Sequence, residues 1–119
     1  MNQEELEAEF VAGAAAFKTG HPSEGAEHLR KAALGGHGEA QNQLARIYFA
    51  QVKSREQIGQ LEAAALNGDH VALFVLAMCF LEGRVCDKDE DKAVAALSHA
   101  AARGNLMARA MLGPNRKAE

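Results

Sequence analysis

The chain has 119 residues, of which 48% are hydrophobic and 24% charged, and its formal net charge is -3. This length and composition are typical of one globular domain and exclude an intrinsically disordered chain. The charges form no stripe of lysine and arginine, so the sequence predicts no nucleic-acid partner.

Alanine makes up much of the hydrophobic share, whereas aromatic residues contribute 5% and the chain has two prolines. Alanine has the highest helix propensity, and its small side chain lets neighbouring helices pack closely. β-branched residues are few, and no segment alternates apolar and polar residues over a long distance. We therefore predict an all-α fold.

Capping residues and glycines divide the chain into seven predicted helices. Pro22 follows Gly20 and fits the first turn of the second helix. Three other starts have the spacing of a capping box, and these are Asn2 with Glu5, Ser54 with Gln57, and Asp87 with Glu90. The predicted helices span residues 2–18, 22–35, 38–51, 55–67, 70–82 and 88–103, followed by a short helix from 106 that Pro114 limits.

One pattern of small residues occurs three times along the chain. An alanine pair is followed by a glycine, and another alanine comes four residues after that glycine. The glycines are Gly36, Gly68 and Gly104, so the repeats are offset by 32 and then 36 residues. We expect each glycine to end a helix in a left-handed conformation, which costs glycine the least, and Asp69 and Asn105 to cap the helices that follow.

The repeats divide a single predicted domain, residues 1–119, into three units and a partial cap. The units are about 6–37, 38–69 and 70–105, and the cap is 106–119. One leucine recurs in the second helix of each unit, and we expect these side chains in the core: Leu29, Leu61 and Leu97.

This pattern resembles the Sel1-like repeat family, which is related to the tetratricopeptide repeats. The third unit matches the family pattern best, through Ala72, Leu76, Ala77, Phe80, Gly83, Asp89, Lys92, Ala93, Ala100, Ala101 and Gly104. The second unit keeps Ala40, Leu44, Ala45, Tyr48, Ala64, Ala65 and Gly68, but it has Gln51 where the family has a loop glycine. The resemblance implies an α/α superhelix of about three helix-turn-helix hairpins with a short C-terminal capping helix. It also implies that the first helix of each hairpin lines a concave side, and that the protein acts as a scaffold for other proteins.

Residues 71–81, VALFVLAMCFL, have no polar side chain. Helical periodicity places Ala72, Leu76 and Phe80 on the core side, whereas the outward positions of the sister helix in the second unit are mostly polar. Two interpretations stay open: the outward side chains form an interface, or neighbouring helices cover them. Under the first interpretation, we expect Phe74, Met78 and Leu81 to be exposed.

The same register predicts a partner-binding face across the three first helices. It consists of Phe10 and Val11 in the first unit, Asn42, Gln43, Arg46 and Phe49 in the second, and Phe74, Met78 and Leu81 in the third. Ala14 and Phe17 fall in the same register. An apolar face with a polar middle suits an amphipathic helix or an extended segment of a protein partner, and equally one half of a symmetric homodimer contact.

The sequence shows no arrangement of residues that would carry catalysis or hold a metal. Its five histidines form no H-E-x-x-H pattern, and its two cysteines have neither zinc nor redox spacing. We therefore predict no enzyme activity, no catalytic residue, no metal ligand and no cofactor. Cys79 is expected to be a small buried side chain and Cys86 to lie in a loop, both as free thiols.

The N-terminal residues MNQEELEAEF lack the features of a secretory signal, and the apolar segment is shorter than the ~20 residues that span a bilayer. We therefore expect a cytoplasmic protein without a membrane partner. The leading hypothesis is a non-enzymatic adaptor that binds a protein segment or itself. The alternative is a small inhibitor or immunity-type protein that blocks a partner enzyme, and an enzyme is the third hypothesis.

Overall fold

The computed structural model describes the backbone of residues 1–117 and the side chains of residues 1–113. Within this part the chain forms seven α-helices and no β-strand. The helices are α1 (Gln3–Lys18), α2 (Pro22–Leu34), α3 (Gly38–Gln51), α4 (Arg55–Leu66), α5 (His70–Glu82), α6 (Glu90–Ala102) and α7 (Leu106–Lys117). The predicted all-α fold is confirmed, and each predicted boundary up to the start of α7 lies within two residues of the observed one.

The three repeated glycines end helices as the sequence predicts. Gly36, Gly68 and Gly104 have φ angles of +111°, +96° and +103°, where a side chain would strain the backbone. In each turn the N–H of the next residue donates to a carbonyl five positions earlier at 3.0 Å: His37 to Ala32, Asp69 to Ala64, and Asn105 to Ala100. In each case this hydrogen bond ends the helix, and the next helix begins directly after the turn.

Most predicted helix starts are also present. Asn2 and Glu5 form a reciprocal capping box at α1, and Asp69 caps α5 by accepting from two backbone N–H groups. The predicted box of Asp87 with Glu90 is wrong, because α6 begins at Glu90 and is capped by Asp89. The Asp89 carboxylate accepts from the Lys92 N–H at 3.0 Å, so the cap lies two residues after the predicted one.

Helix α5 is the central helix of the stack. It packs against α3, α4 and α6, and Val71, Ala72, Ala77 and Cys79 have no exposed surface. The expected exposure of Phe74 is wrong, because 9% of its surface is accessible and it joins the hydrophobic core. Coverage by neighbouring helices therefore explains most of this apolar segment.

The first hairpin shows how small residues bring helices together. Gly13 of α1 lies so close to α2 that a Cβ there would be 3.1 Å from the Gly25 carbonyl oxygen. The three repeated leucines of the second helices are buried, which confirms the prediction for Leu29, Leu61 and Leu97.

A buried amide connects distant parts of the stack. Gln41 of α3 has no exposed surface, and its Nε2 donates to the carbonyls of Ala33 at 3.0 Å and Gly104 at 3.2 Å. Its Oε1 accepts from the Leu106 N–H at 2.9 Å. One side chain thus ties the end of α2 and the start of α7 to α3.

The last helix is kinked at Gly113, which has φ +73° and ψ 167°, and it continues to Lys117. The helical conformation is thus interrupted directly before Pro114, which agrees with the prediction that Pro114 limits this helix. The residue before a proline avoids the helical conformation, and glycine adopts the alternative at low cost.

No helix among residues 1–117 combines the length and the apolarity that a bilayer crossing requires.

Candidate functional site

Residues of α1, α3, α5 and α7 line two adjoining hollows, and we call the surface that contains both hollows the concave face. The α3–α5 hollow has a volume of about 420 Å³. Asn42, Arg46 and Phe49 line it from α3 at spacings of four and three residues, which places them on one helix face. The wall formed by α5 consists of Phe74, Val75, Met78 and Glu82.

A second hollow lies between α1 and α3 and has a volume of about 500 Å³. We call it the α1–α3 hollow, and it is lined by Ala14, Phe17, Lys18, Gln43, Arg46 and Ile47. Arg46 lines both hollows, so they meet at this residue. The concave face is therefore a continuous surface to which α1, α3, α5 and α7 contribute.

Arg84 fixes one end of the α3–α5 hollow. Its guanidinium lies 4.4 Å from the centre of the Phe49 ring and donates through Nε and Nη2 to the Val52 carbonyl, at 3.2 and 3.1 Å. A guanidinium stacked on an aromatic ring and bonded to the backbone keeps its position. The acceptor is the residue that follows α3, where the chain turns without the family's loop glycine.

Arg46 differs from Arg84 in being unengaged. It is exposed, and the side-chain contacts between a basic residue and a carboxylate among residues 1–113 are His28 with Glu9 and His37 with Glu7. No hydrogen bond from Arg46 is present in that part of the chain either. Its charge is therefore open to a partner.

Six of the nine residues predicted for the partner-binding face line the two hollows. Five belong to the α3–α5 hollow and Gln43 belongs to the α1–α3 hollow: Asn42, Gln43, Arg46, Phe49, Phe74 and Met78. Phe74 forms part of the buried wall, whereas Met78 is half-buried. The three other residues lie outside both hollows.

Phe10 stacks on His37, with ring centroids 4.5 Å apart and an angle of 22° between the planes. Val11 is 55% exposed and lines neither hollow, and Leu81 is half-buried outside them. The register of the later units holds for Ala14 and Phe17, which line the α1–α3 hollow, but Phe10 and Val11 lie outside it. Phe17 and Lys18, farther along α1, take the corresponding positions on the concave face.

The predicted set omitted several lining residues. Lys18, Ala50 and Glu82 lie in the same register on the first helices, whereas Arg84 and Met107 lie outside that register. Arg84 follows α5 in a loop, where helical periodicity makes no prediction, and Met107 is in α7, which the sequence indicated only as a cap. A family-pattern glycine, Gly83, precedes Arg84 and ends α5 with φ +69°. That glycine was the available signal that the chain turns back toward the hollow at this point.

The groups with shifted pKa values lie outside the two hollows. Burial and a hydrogen bond to Asp69 raise the pKa of Tyr48 to about 12, and burial raises the pKa of the Cys79 thiol to about 11. Burial also lowers the pKa of His70, whose Nδ1 lies 3.3 Å from the Asn105 Nδ2. These shifts therefore follow from burial in the core.

The side chains that could bind a metal do not cluster among the residues that the structure describes. Among the residues that the structure describes, no group of three histidine, cysteine, aspartate or glutamate side chains could hold a metal ion. The chemistry of the concave face is therefore that of apolar, amide and guanidinium groups.

A solved structure is similar to this chain over most of its length. It is the crystal structure of a Sel1 repeat protein from Oxalobacter formigenes, 28% identical, with a TM-score of 0.52. The match covers 91% of this chain and 87% of that chain. No family model matches the chain, and no curated protein matches it significantly. The structural match confirms the resemblance that the alanine and glycine pattern predicts, together with the α/α solenoid architecture.

Proposed function

We propose, from the similarity to a Sel1 repeat protein, that this chain is a non-enzymatic interaction module that binds a segment of another protein along its concave face. The observation that carries this proposal is the pair of hollows, about 420 and 500 Å³, that meet at Arg46. Pockets with apolar walls and a few polar groups are the usual sites of recognition.

The α3–α5 hollow offers an apolar surface to one or two large side chains. Phe49 and Met78 are half-buried and line it, so a partner side chain would remove their remaining surface from water. Burial of a leucine or phenylalanine side chain contributes about 1.5–3 kcal/mol. Methionine side chains adapt to different shapes, which suits this kind of hollow.

Polar groups between the hollows complement the backbone of a bound segment. Asn42 is exposed at the α3–α5 hollow, and Gln43 is half-exposed at the α1–α3 hollow. Their amides can donate to and accept from an extended or helical segment, as in other peptide-binding grooves. Apolar contacts would then supply affinity, and the amides would set the position of the segment.

The proposal is tested by selecting binding peptides from a random displayed library on the purified protein. We expect enriched peptides whose affinity, measured by fluorescence anisotropy, falls about tenfold or more in Ala50→Trp, because Ala50 is exposed and lines the α3–α5 hollow. Ala63→Trp is the matched control, because Ala63 is exposed on α4 and lines neither hollow.

Light scattering on the same samples separates the two occupants of the face. A monomer that binds peptides supports a partner segment, whereas a dimer that Ala50→Trp dissociates would mean that a second copy occupies the hollows. Peptides that bind both tryptophan variants equally well, or a library without enrichment, would contradict the proposal.

A further inference from the structure

We propose that the concave face is selective for an acidic partner segment, in which one large apolar side chain enters the α3–α5 hollow and carboxylates on either side of it pair with Arg46 and Arg84. This inference rests on the proposed function and adds the chemistry of the partner.

The net charge of the residues that line the two hollows is positive, whereas the net charge of the whole chain is negative. Lys18, Arg46 and Arg84 line the two hollows, and Glu82 is the acidic residue lining them. The chain as a whole has a formal net charge of -3. A surface with excess positive charge on an acidic protein attracts acidic segments and repels basic ones.

Helix α3 carries one acidic residue, Glu39, in its first turn. Glu39 is exposed and lies one turn before Asn42, toward the start of the helix, outside both hollows. The positive charges therefore border the apolar walls directly, whereas Glu39 lies beyond the end of the binding surface.

The two arginines offer different kinds of contact. Arg84 is held against Phe49 and the Val52 carbonyl, and its Nη1 has no hydrogen-bond partner among the side chains and backbone of residues 1–113. A carboxylate that bonds to this guanidinium would meet a cation already in position, so little side-chain freedom is lost. Arg46 is exposed and unpaired, and it can adjust to a carboxylate at the junction of the hollows.

The apolar walls define the residue between the carboxylates. Phe49, Phe74, Met78 and Met107 surround the α3–α5 hollow, whose volume is about 420 Å³. A leucine, methionine or phenylalanine side chain fits this space, and its burial excludes water from the adjacent ion pairs. Salt bridges gain strength when a neighbouring contact removes water.

The α1–α3 hollow extends the same chemistry along the segment. Phe17 and Ile47 give it apolar walls, and Lys18 adds a third positive charge. A segment that continues past Arg46 therefore meets a second apolar position with a further acidic position beside it.

The peptides selected on the purified protein test this inference through their composition. We expect enrichment of a large apolar residue with aspartate or glutamate on both sides. Arg46→Glu should lower the affinity of such peptides about tenfold or more, whereas Arg55→Glu, an exposed arginine on α4 with the same change in charge, should alter it less than about twofold. Added salt should weaken binding to the unmodified protein and have a smaller effect in Arg46→Glu.

The outcomes separate this inference from the proposed function. Peptides that are sensitive to Ala50→Trp but neutral or basic in composition, and insensitive to Arg46→Glu, would overturn the acidic selectivity and leave the binding site in place. Peptides insensitive to both substitutions would overturn the proposed function itself. A charge-reversed synthetic copy of the best peptide, with lysine for each acidic residue, should not bind, and equal binding would also overturn the inference.

Discussion

The Asp69 carboxylate bonds to groups from two helices. Its Oδ1 accepts from the N–H groups of Val71 and Ala72 at the start of α5, and its Oδ2 accepts from the Tyr48 hydroxyl of α3 at 2.6 Å. The Arg30 Nε lies 3.4 Å from the same hydroxyl oxygen. The residue that caps α5 thus also joins α5 to α3.

We predict that Tyr48 ionises late in the folded protein, because burial and its bond to Asp69 raise its pKa from 10.0 to about 12. Between these two pH values the folded chain keeps the proton and the unfolded chain loses it, so the free energy of unfolding should fall as pH rises through this window. The chain has one tyrosine and no tryptophan, so phenolate absorbance reports this group alone.

The control for this titration is the same absorbance measurement in concentrated urea, where the midpoint should return to about 10. Asp69→Asn should also lower the midpoint in the folded state, because it removes the carboxylate acceptor. A folded-state midpoint near the ordinary tyrosine value would contradict the assigned bond.

We also predict that the two thiols differ in reactivity. Cys79 is fully buried with a pKa raised to about 11 by burial, whereas Cys86 is half-buried in the loop after α5. At neutral pH a thiol reagent should label Cys86 in the folded protein and Cys79 only after unfolding, because the thiolate is the reactive form. Peptide mass mapping checks the site, and Cys86→Ser should remove the early label. Early labelling of Cys79 would show that α5 opens locally.

At the scale of the helices, two helical glycines differ in their surroundings. Gly13 lies close to the backbone of α2, whereas Gly59 has open space beside it. A Cβ on Gly13 would be 3.1 Å from the Gly25 carbonyl oxygen, whereas a Cβ on Gly59 of α4 would meet no atom within 4 Å. We predict that Gly13→Leu lowers the free energy of unfolding by about 1–3 kcal/mol through overpacking. Gly59→Ala, at a helical glycine with open space, should raise it by about 0.5–1 kcal/mol through helix propensity. Urea denaturation measures both, and changes of the same sign would contradict the packing described for α1 and α2.

Most helix boundaries could be predicted because their determinants are local. The turn at Gly68 and the cap at Asp69 require only neighbouring residues, and both are present as expected. The exposure of Phe74 could not be predicted in this way. Helical periodicity shows which face Phe74 occupies, whereas its burial depends on α3, α4 and α6 around it.

The candidate site was predictable to the extent that it lies within regular helices. Arg46 and Met78 occupy predicted positions on the concave face, because α3 and α5 keep the same register. Phe10 does not, because its ring stacks on His37, and helical periodicity makes no prediction about that contact. Arg84 comes from a loop whose path depends on the Val52 carbonyl of the preceding hairpin, and no local pattern encodes that contact.

At the scale of the whole molecule, the stack departs from a row of units that contact only their neighbours. Gln41 of the second unit bonds to Gly104 at the end of the adjacent third unit and also to Leu106, the first residue of the cap beyond that unit. In a repeat stack with nearest-neighbour contacts alone, stability is approximately the sum of the unit stabilities and the interfaces between adjacent units, so a terminal unit can unfold by itself. A buried bond from α3 to the start of α7 couples the end of this stack to its middle, so we expect the helices to unfold together.

Gln41→Leu tests this coupling. The substitution removes the side-chain partner of the Leu106 N–H and of the Gly104 carbonyl, whereas the Ala33 carbonyl keeps its bond from the Gly36 N–H. We predict a loss of about 1–3 kcal/mol in the free energy of unfolding. Hydrogen exchange followed by mass spectrometry should show faster exchange in α7 than in α2. Gln43→Leu on the same helix is the control and should leave α7 protected. Unchanged exchange of α7 in Gln41→Leu would mean that other contacts hold it.

The position of Gln41 also orders the assembly of the molecule during translation. The first two hairpins leave the ribosome while the amide of Gln41 still lacks two of its three backbone partners, since Gly104 and Leu106 have yet to be made. Until then water must satisfy the hydrogen bonds of this amide, so the nascent stack must leave space for water beside α3. A product that stops before Gly104 would retain this gap and present a target for proteolytic quality control.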